Sequence, residues 1–166
     1  MQFRVGLGQD SHRIKDFEQG AKNPKPLVLA GVIVAEDLTS SANSDGDVIA
    51  HALCNALSSA CGGRSISFYA DPMCEAGVID SFEYIKEILK KEVRAKGFKV
   101  NNVSIAVEAG RPKLERFHDQ MKANLAKVLD VDVDQIGITF TSGEKLTPFG
   151  KGEGIQVFCV VSLIKE

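Results

Sequence analysis

Between Asn43 and Ala60 the chain reads NSDGDVIAHALCNALSSA, and this stretch limits the fold more than any other. Asp45, Gly46 and Asp47 offer side-chain oxygens and a flexible turn to the unpaired N–H groups of a helix start, where acidic charge also suits the positive helix end. Val48, Ile49, Ala52, Leu53, Ala56, Leu57 and Ala60 then recur at helical spacing. A face that broad has to be buried. His51 lies one turn in, on the edge of that face, with Asn55 one turn further along the same side. A lone histidine there is ordinarily a core residue; what gives this one weight lies upstream.

Phe3 to Leu7 alternates and predicts a first strand closed by Gly8, followed at once by Asp10-Ser11-His12. In extended backbone, residues two apart point the same way, so a carboxylate and an imidazole are presented together. Asp10, His12 and His51 thus make one oxygen and two nitrogen donors. Three such ligands with an open position have the composition of a catalytic zinc site, with the helix fixing the last vertex. The remaining histidine, His118, sits beside Phe117 and reads as structural or exposed.

The rest of the chain supplies a scaffold. Lys15 to Pro26 reads as a loop, Leu27 to Val34 as a hairpin with a glycine turn, and Glu36 to Asn43 as the return to the His51 helix. Gly62 to Asp80 shows no sustained period and is predicted to be a long irregular loop. Ser81 is placed as the cap of a second helix, with Phe82, Ile85, Ile88, Leu89 and Val93 on one stripe and Gly97 closing it. Lys99 to Val107 alternates as a strand. Arg111-Pro112-Lys113 is read as opening a third helix, with Leu114, Phe117, Met121, Leu125, Val128 and Leu129 on its buried face. Ile136 to Phe140 is a short strand, Thr141 to Gly154 a polar loop, and Ile155 to Ile164 an apolar strand suited to the centre of a sheet. The order predicts an α/β fold, or α+β sandwich: one mixed β-sheet with helices packed on one face. Residues 1–166 are read as a single catalytic domain.

Composition excludes several classes. With 44% hydrophobic and 25% charged residues the chain is an ordinary globular one, and a formal charge of −2 gives no reason to expect nucleic acid or an anionic membrane as partner. No apolar run approaches the roughly 20 residues that span a bilayer. MQFRVGLG has neither a signal nor a transit pattern, and Cys54, Cys61, Cys74 and Cys159 form no C-x-x-C pair, so a cytoplasmic protein with reduced thiols is expected. There is no G-x-S-x-G elbow, no Walker loop and no dinucleotide fingerprint; the glycines of GKGEG have the wrong spacing and context.

Taken together, DSH near the N-terminus, SDGDVIAHAL, RPKL, and EKL followed by GKGEGI resemble the 2-C-methyl-D-erythritol 2,4-cyclodiphosphate synthase family, in order, from about Val5 to Ile164. The resemblance implies that a cytidine diphosphate ester of methylerythritol 2-phosphate closes on itself, giving a cyclic diphosphate and CMP. The attacking phosphate oxygen is already anionic, which explains the lack of any nucleophile–base pair. By the same resemblance Asp10, His12 and His51 hold zinc, and Glu144 holds magnesium or manganese. Ala109, Pro112, Lys113, Leu114, Thr141 and Ser142 form the cytidine and phosphate pocket, Ser44 contacts phosphate, and Asp71 lies on a loop over the methylerythritol end. The implied assembly is a homotrimer around the sheets, one subunit giving the metal half of each site and its neighbour the cytidine half. Asp47 has two open readings, either behind the zinc histidines or only as a helix cap.

Three departures accompany the likeness. Asn43 stands where the family usually has His. The loop after the first helix is one residue shorter and puts Ser65 where an aspartate would grip the ribose. Lys151 stands where arginine is common, near the trimer axis. They bear on substrate affinity more than on reaction type. Two rival readings are a non-catalytic relative that binds zinc and a diphosphate, and a zinc phosphohydrolase, which would need a base near the metal.

Overall fold

The computed structural model describes residues 1–17 and 25–165. Strand β1 (Gln2–Asp16) is followed by the hairpin β2 (Leu27–Leu29) and β3 (Val32–Ala35), then by β4 (Leu38–Ser40). Helices α1 (Val48–Ala60), α2 (Ile66–Glu75) and α3 (Ser81–Ile88) come next, and α3 runs on through a π turn at Leu89–Val93. Strand β5 (Lys99–Ala109), helix α4 (His118–Leu129), β6 (Ile136–Thr141) and β7 (Gly154–Lys165) complete the chain. The main sheet has the order β4-β1-β7-β5-β6, mixed because β5 and β6 run parallel while the other pairs are antiparallel. As the apolar run from Ile155 predicts, β7 is central, and the helices cover one face. On the other face Phe3, Val5, Leu7, Phe158 and Val160 are exposed.

The first strand does not stop at Gly8. It continues to Asp16 because Gly6 and Gly8 are not turn residues: helix α1 lies directly on them. A Cβ built on Gly6 would stand 2.0 Å from the Ala56 carbonyl oxygen, and one on Gly8 2.0 Å from that of Ala52. Ala52, Ala56 and Ala60 repeat every four residues on the facing side of the helix, so two smooth surfaces meet. Ile49, Leu53 and Leu57 are fully buried beside this seam, each worth about 1.5–3 kcal/mol of apolar burial.

Two further expectations are revised. Within Gly62–Asp80 the chain forms α2, whose Ile66, Tyr69, Ala70 and Met73 have helical spacing and pack on the core despite Pro72. Arg111-Pro112 is a cis peptide that opens no helix; the chain passes through a short turn at Glu115–Phe117 before α4 begins at His118. The loop expected from Lys15 to Pro26 loses Lys15 and Asp16 to β1, and its residues 18–24 lie outside the described residues. The β2–β3 hairpin is present, turning at Ala30 and Gly31 with φ of 48° and 71°, the left-handed geometry such two-residue turns require. Gly97, at φ 76°, closes the α3 segment as expected.

Candidate metal centre and substrate hollows

Asp10 and His12 lie on the helix-facing side of β1, alternating with Gln9, Ser11 and Arg13 on the other side, and His51 reaches them from the second turn of α1. His12 Nε2 is 3.0 Å from His51 Nδ1. Asp10 Oδ2 is 3.1 Å from His51 Nδ1 and 3.6 Å from His12 Nε2. Four-coordinate zinc with bonds of about 2.0–2.1 Å sets neighbouring donors about 3.3 Å apart, so the spacing of this triad fits such an ion. All three ligand atoms lie within 4.8 Å of one another. The triad is a possible metal-binding site.

The electrostatics agree. Burial pushes the His12 imidazole below its ordinary value, against the pull of Asp10, and so favours the neutral form that binds metals. Burial would raise the Asp10 carboxyl, but its contacts with the His51 and His12 rings and with the Ser11 N–H together hold it lower. A carboxylate oxygen and two ring nitrogens converge on one point.

Behind the triad, His51 Nε2 stands 2.9 Å from Ser81 Oγ and 3.2 Å from Ser44 Oγ. Ser81 is not the cap of α3. Asp80 takes that place, its Oδ1 accepting from the Phe82 N–H at 2.8 Å. Asp47 is resolved in favour of structure. Its carboxylate accepts from the N–H groups of Ala30 (2.9 Å), Gly31 (2.7 Å) and Ala50 (3.0 Å), and it makes no bond to the ring of His51. It ties the hairpin turn to the helix start, with burial pushing the carboxyl up to about 6 against those three donors.

Two hollows carry the other expected residues. One, of about 300 Å3, opens on the triad and is lined by Asn43, Ser44, Ser67, Asp71, Cys74 and Tyr84 among others. The second, of about 140 Å3, is formed by Ala109, Pro112, Lys113, Leu114, Thr141 and Ser142, where the parallel ends of β5 and β6 meet. The hollows share no lining residue. Glu144 is exposed on the following turn at φ 50°, and Ser65 and Lys151 line neither hollow. Ser65 begins α2 without a side-chain cap, because Asn55 Oδ1 accepts the Ile66 N–H instead at 2.8 Å. His118 stands apart, paired with Asp119 at 3.0 Å and set edge-on to Phe140. Sequence reasoning missed Cys74 and Tyr84 because it read α2 as irregular and gave the face of α3 only to packing. It missed the inward turn of Ser81, although the pair Asp80-Ser81 signals that only one of the two can cap.

Comparison with known proteins gives a single answer. The YgbB family model matches residues 3–164. The 2-C-methyl-D-erythritol 2,4-cyclodiphosphate synthase of Chlamydia muridarum is 40% identical over 164 residues, 98% of this chain and 89% of that one. The Chlamydia felis enzyme of the same name is 38% identical, covering 98% and 90%. A solved structure of 2C-methyl-D-erythritol-2,4-cyclodiphosphate synthase superposes with a TM-score of 0.84 at 32% identity, over 97% of this chain and all of that one. The Plasmodium falciparum IspF CDP complex gives 0.83 at 27%, over 99% and 97%. The chain belongs to the YgbB family, that of the 2-C-methyl-D-erythritol 2,4-cyclodiphosphate synthases.

Proposed function

We propose that this chain is a 2-C-methyl-D-erythritol 2,4-cyclodiphosphate synthase, a phosphorus–oxygen lyase of non-mevalonate isoprenoid precursor biosynthesis. Its substrate is 4-diphosphocytidyl-2-C-methyl-D-erythritol 2-phosphate. An oxygen of the 2-phosphate forms a bond to the distal phosphorus of the diphosphate, the bond from that phosphorus to the CMP oxygen breaks, and CMP leaves. The observation that carries this reading is the convergence of Asp10, His12 and His51 beside an open hollow in a member of this family.

No protein base is needed, since the attacking oxygen is already anionic; positioning and charge stabilisation are what the protein supplies. Zinc bound by Asp10, His12 and His51, and magnesium or manganese bound by Glu144, supply Lewis-acid stabilisation of the phosphate charge. The exposed carboxylate of Glu144 would suit a hard, oxygen-preferring cation. Lys113 brings a positive charge to the cytidine hollow. Thr141 Oγ1 and Ser142 Oγ accept from the N–H groups of Gly143 (3.1 Å) and Glu144 (3.4 Å), which leaves both hydroxyl hydrogens to donate to a phosphate. Asn43, Ser44 and Asp71 border the methylerythritol end, Ser65 offers an uncharged hydroxyl to the ribose, and Lys151 lies toward the trimer axis.

That assembly is a homotrimer in which the metal half of one subunit meets the cytidine half of the next. The separation of the two hollows and the exposed stripe of Phe3, Val5, Leu7, Phe158 and Val160 support it. The reading keeps residues 1–166 as one catalytic domain. It places the protein in the cytoplasm, where reducing surroundings suit four cysteines that form no disulfide. Among the described residues no helix is long and apolar enough to cross a membrane.

Phosphorus NMR of the purified protein with its substrate tests the reaction. Cyclic diphosphate with an equal amount of CMP is expected. CMP with only linear methylerythritol phosphates would establish a phosphohydrolase, and an unchanged substrate a binding protein. Elemental analysis should find about one zinc per chain by the three-ligand count. His51→Ala should release it and His118→Ala should not; equal loss from both would show that the wrong histidine had been assigned.

A further inference from the structure

We infer that Ser81 and Asp45 are positioning residues of the metal centre, a hydroxyl and a carboxylate that hold His51 with Nε2 protonated and the Nδ1 lone pair aimed at the ion. The inference rests on the zinc reading above and adds to it the device that orients one ligand.

Ser81 is completely buried, and its Oγ lies 2.9 Å from His51 Nε2. The same hydroxyl donates to Asp45 Oδ1, while Asp45 Oδ2 accepts the Ser81 N–H at 3.0 Å. A hydroxyl has one hydrogen. Once it is given to a carboxylate, the oxygen faces the imidazole with a lone pair, and Nε2 has to be the donor. Neutral imidazole carries one N–H, so Nδ1 is left bare. Nδ1 is the atom that stands 3.0 Å from His12 Nε2 and 3.1 Å from Asp10 Oδ2.

The Ser81 hydroxyl is not taken up by capping, because the Asp80 side chain already caps α3. Asp45 also accepts the Asp47 N–H at 3.1 Å, so its carboxylate is fixed from two sides and links the starts of α1 and α3. Ser44 is the lesser contact: its Oγ is 3.2 Å from Nε2 and also accepts the Gly46 N–H at 3.2 Å. Metal-bound histidines characteristically donate their second N–H to an acceptor that fixes ring and tautomer, and losing that acceptor weakens metal binding about 10–100-fold.

Zinc titration against a chromophoric chelator, on metal-stripped full-length protein, tests the assignment. Ser81→Ala should bind zinc about 10–100-fold more weakly than wild type. Lys86→Ala, on the outer side of the same helix, should bind as wild type does. In the zinc-loaded proteins, nitrogen-detected ring spectra should show a slowly exchanging Nε2–H on His51 in wild type and lose it in Ser81→Ala. A purely structural serine would not move that signal. Should Ser81→Ala fail to fold, Asp45→Asn carries the test, since it keeps the shape and one accepting oxygen and should still weaken zinc several-fold. Zinc affinity within twofold of wild type in the folded variant, or a protected Nε2–H in it, overturns the inference while leaving the zinc site intact. Wild-type protein that takes up no zinc overturns both readings.

Discussion

Unfolded and refolded together in equal amounts, His51→Ala and Lys113→Ala chains should recover about a quarter of wild-type activity, although each alone is nearly inactive. The first variant lacks a donor of the metal triad and keeps an intact Lys113 hollow; the second is the reverse. If each active site joins the metal half of one subunit to the cytidine half of the next, a ring of three contains three such junctions. A junction works when a Lys113→Ala chain gives the metal half and a His51→Ala chain gives the other. With random assembly each condition holds half the time, hence about one junction in four. Each parent should fall by about 100-fold or more, the usual scale for losing a charge-stabilising group. Sedimentation would verify that the mixture is trimeric. Trimers that stay as inactive as their parents would mean that both halves of a site come from one chain.

Gly8→Ala should leave little or no folded protein, a larger stability effect than any surface change in this chain. The added methyl carbon would meet the Ala52 carbonyl oxygen at 2.0 Å and the Ala56 nitrogen at 2.4 Å. Both are backbone atoms of a helix, so no side chain can swing aside, and α1 has to lift from the sheet as a body. Losses above about 4 kcal/mol belong to such overpacked contacts. Gly62→Ala is the matched control. Its φ is +68°, but nothing lies within 4 Å of its Cβ, so only the conformational cost of about 1 kcal/mol remains. Urea unfolding of the two variants measures the difference. If Gly8→Ala came within about 1 kcal/mol of wild type, the seam would have slack that the geometry does not show. Any variant that folds by lifting α1 should also bind zinc poorly, because His51 rides on that helix while Asp10 and His12 ride on the strand beneath it.

The parts of this design visible in the sequence are those where one residue type at one spacing has a single physical use. The apolar run from Ile155 marked a central strand, and the period of α1 marked a buried helix. The D-x-H pair with His51 named three donors whose convergence the fold then supplies. Elsewhere one signal had two uses. Gly8 could end a strand or admit a helix, and only the position of α1 distinguishes them. Pro72 could break a helix or sit inside one whose other contacts outweigh it. Asp80 and Ser81 could each cap α3, and the choice fell to Asp80 because Asp45 and His51 claim the serine from across the fold. Pro112 could start a helix or serve a turn. In each case the deciding partner is remote in the chain and invisible at the position itself.

The unbroken length of β1 makes the chemistry of this protein depend on counting. Twelve consecutive residues of β1, Gln2 to Arg13, pair one for one with β7. Along this track odd positions carry Phe3, Val5 and Leu7 outward, and even positions carry Asp10 and His12 toward α1. Inserting or deleting one residue between Leu7 and Asp10 could be absorbed by the ladder as a shift of parity. It would nevertheless turn the two candidate metal donors onto the outer face, leaving His51 to face Gln9 and Ser11 after an insertion, or Ser11 and Arg13 after a deletion. The first dozen residues are therefore held to a reading frame of their own, in which length is as strictly required as any side chain.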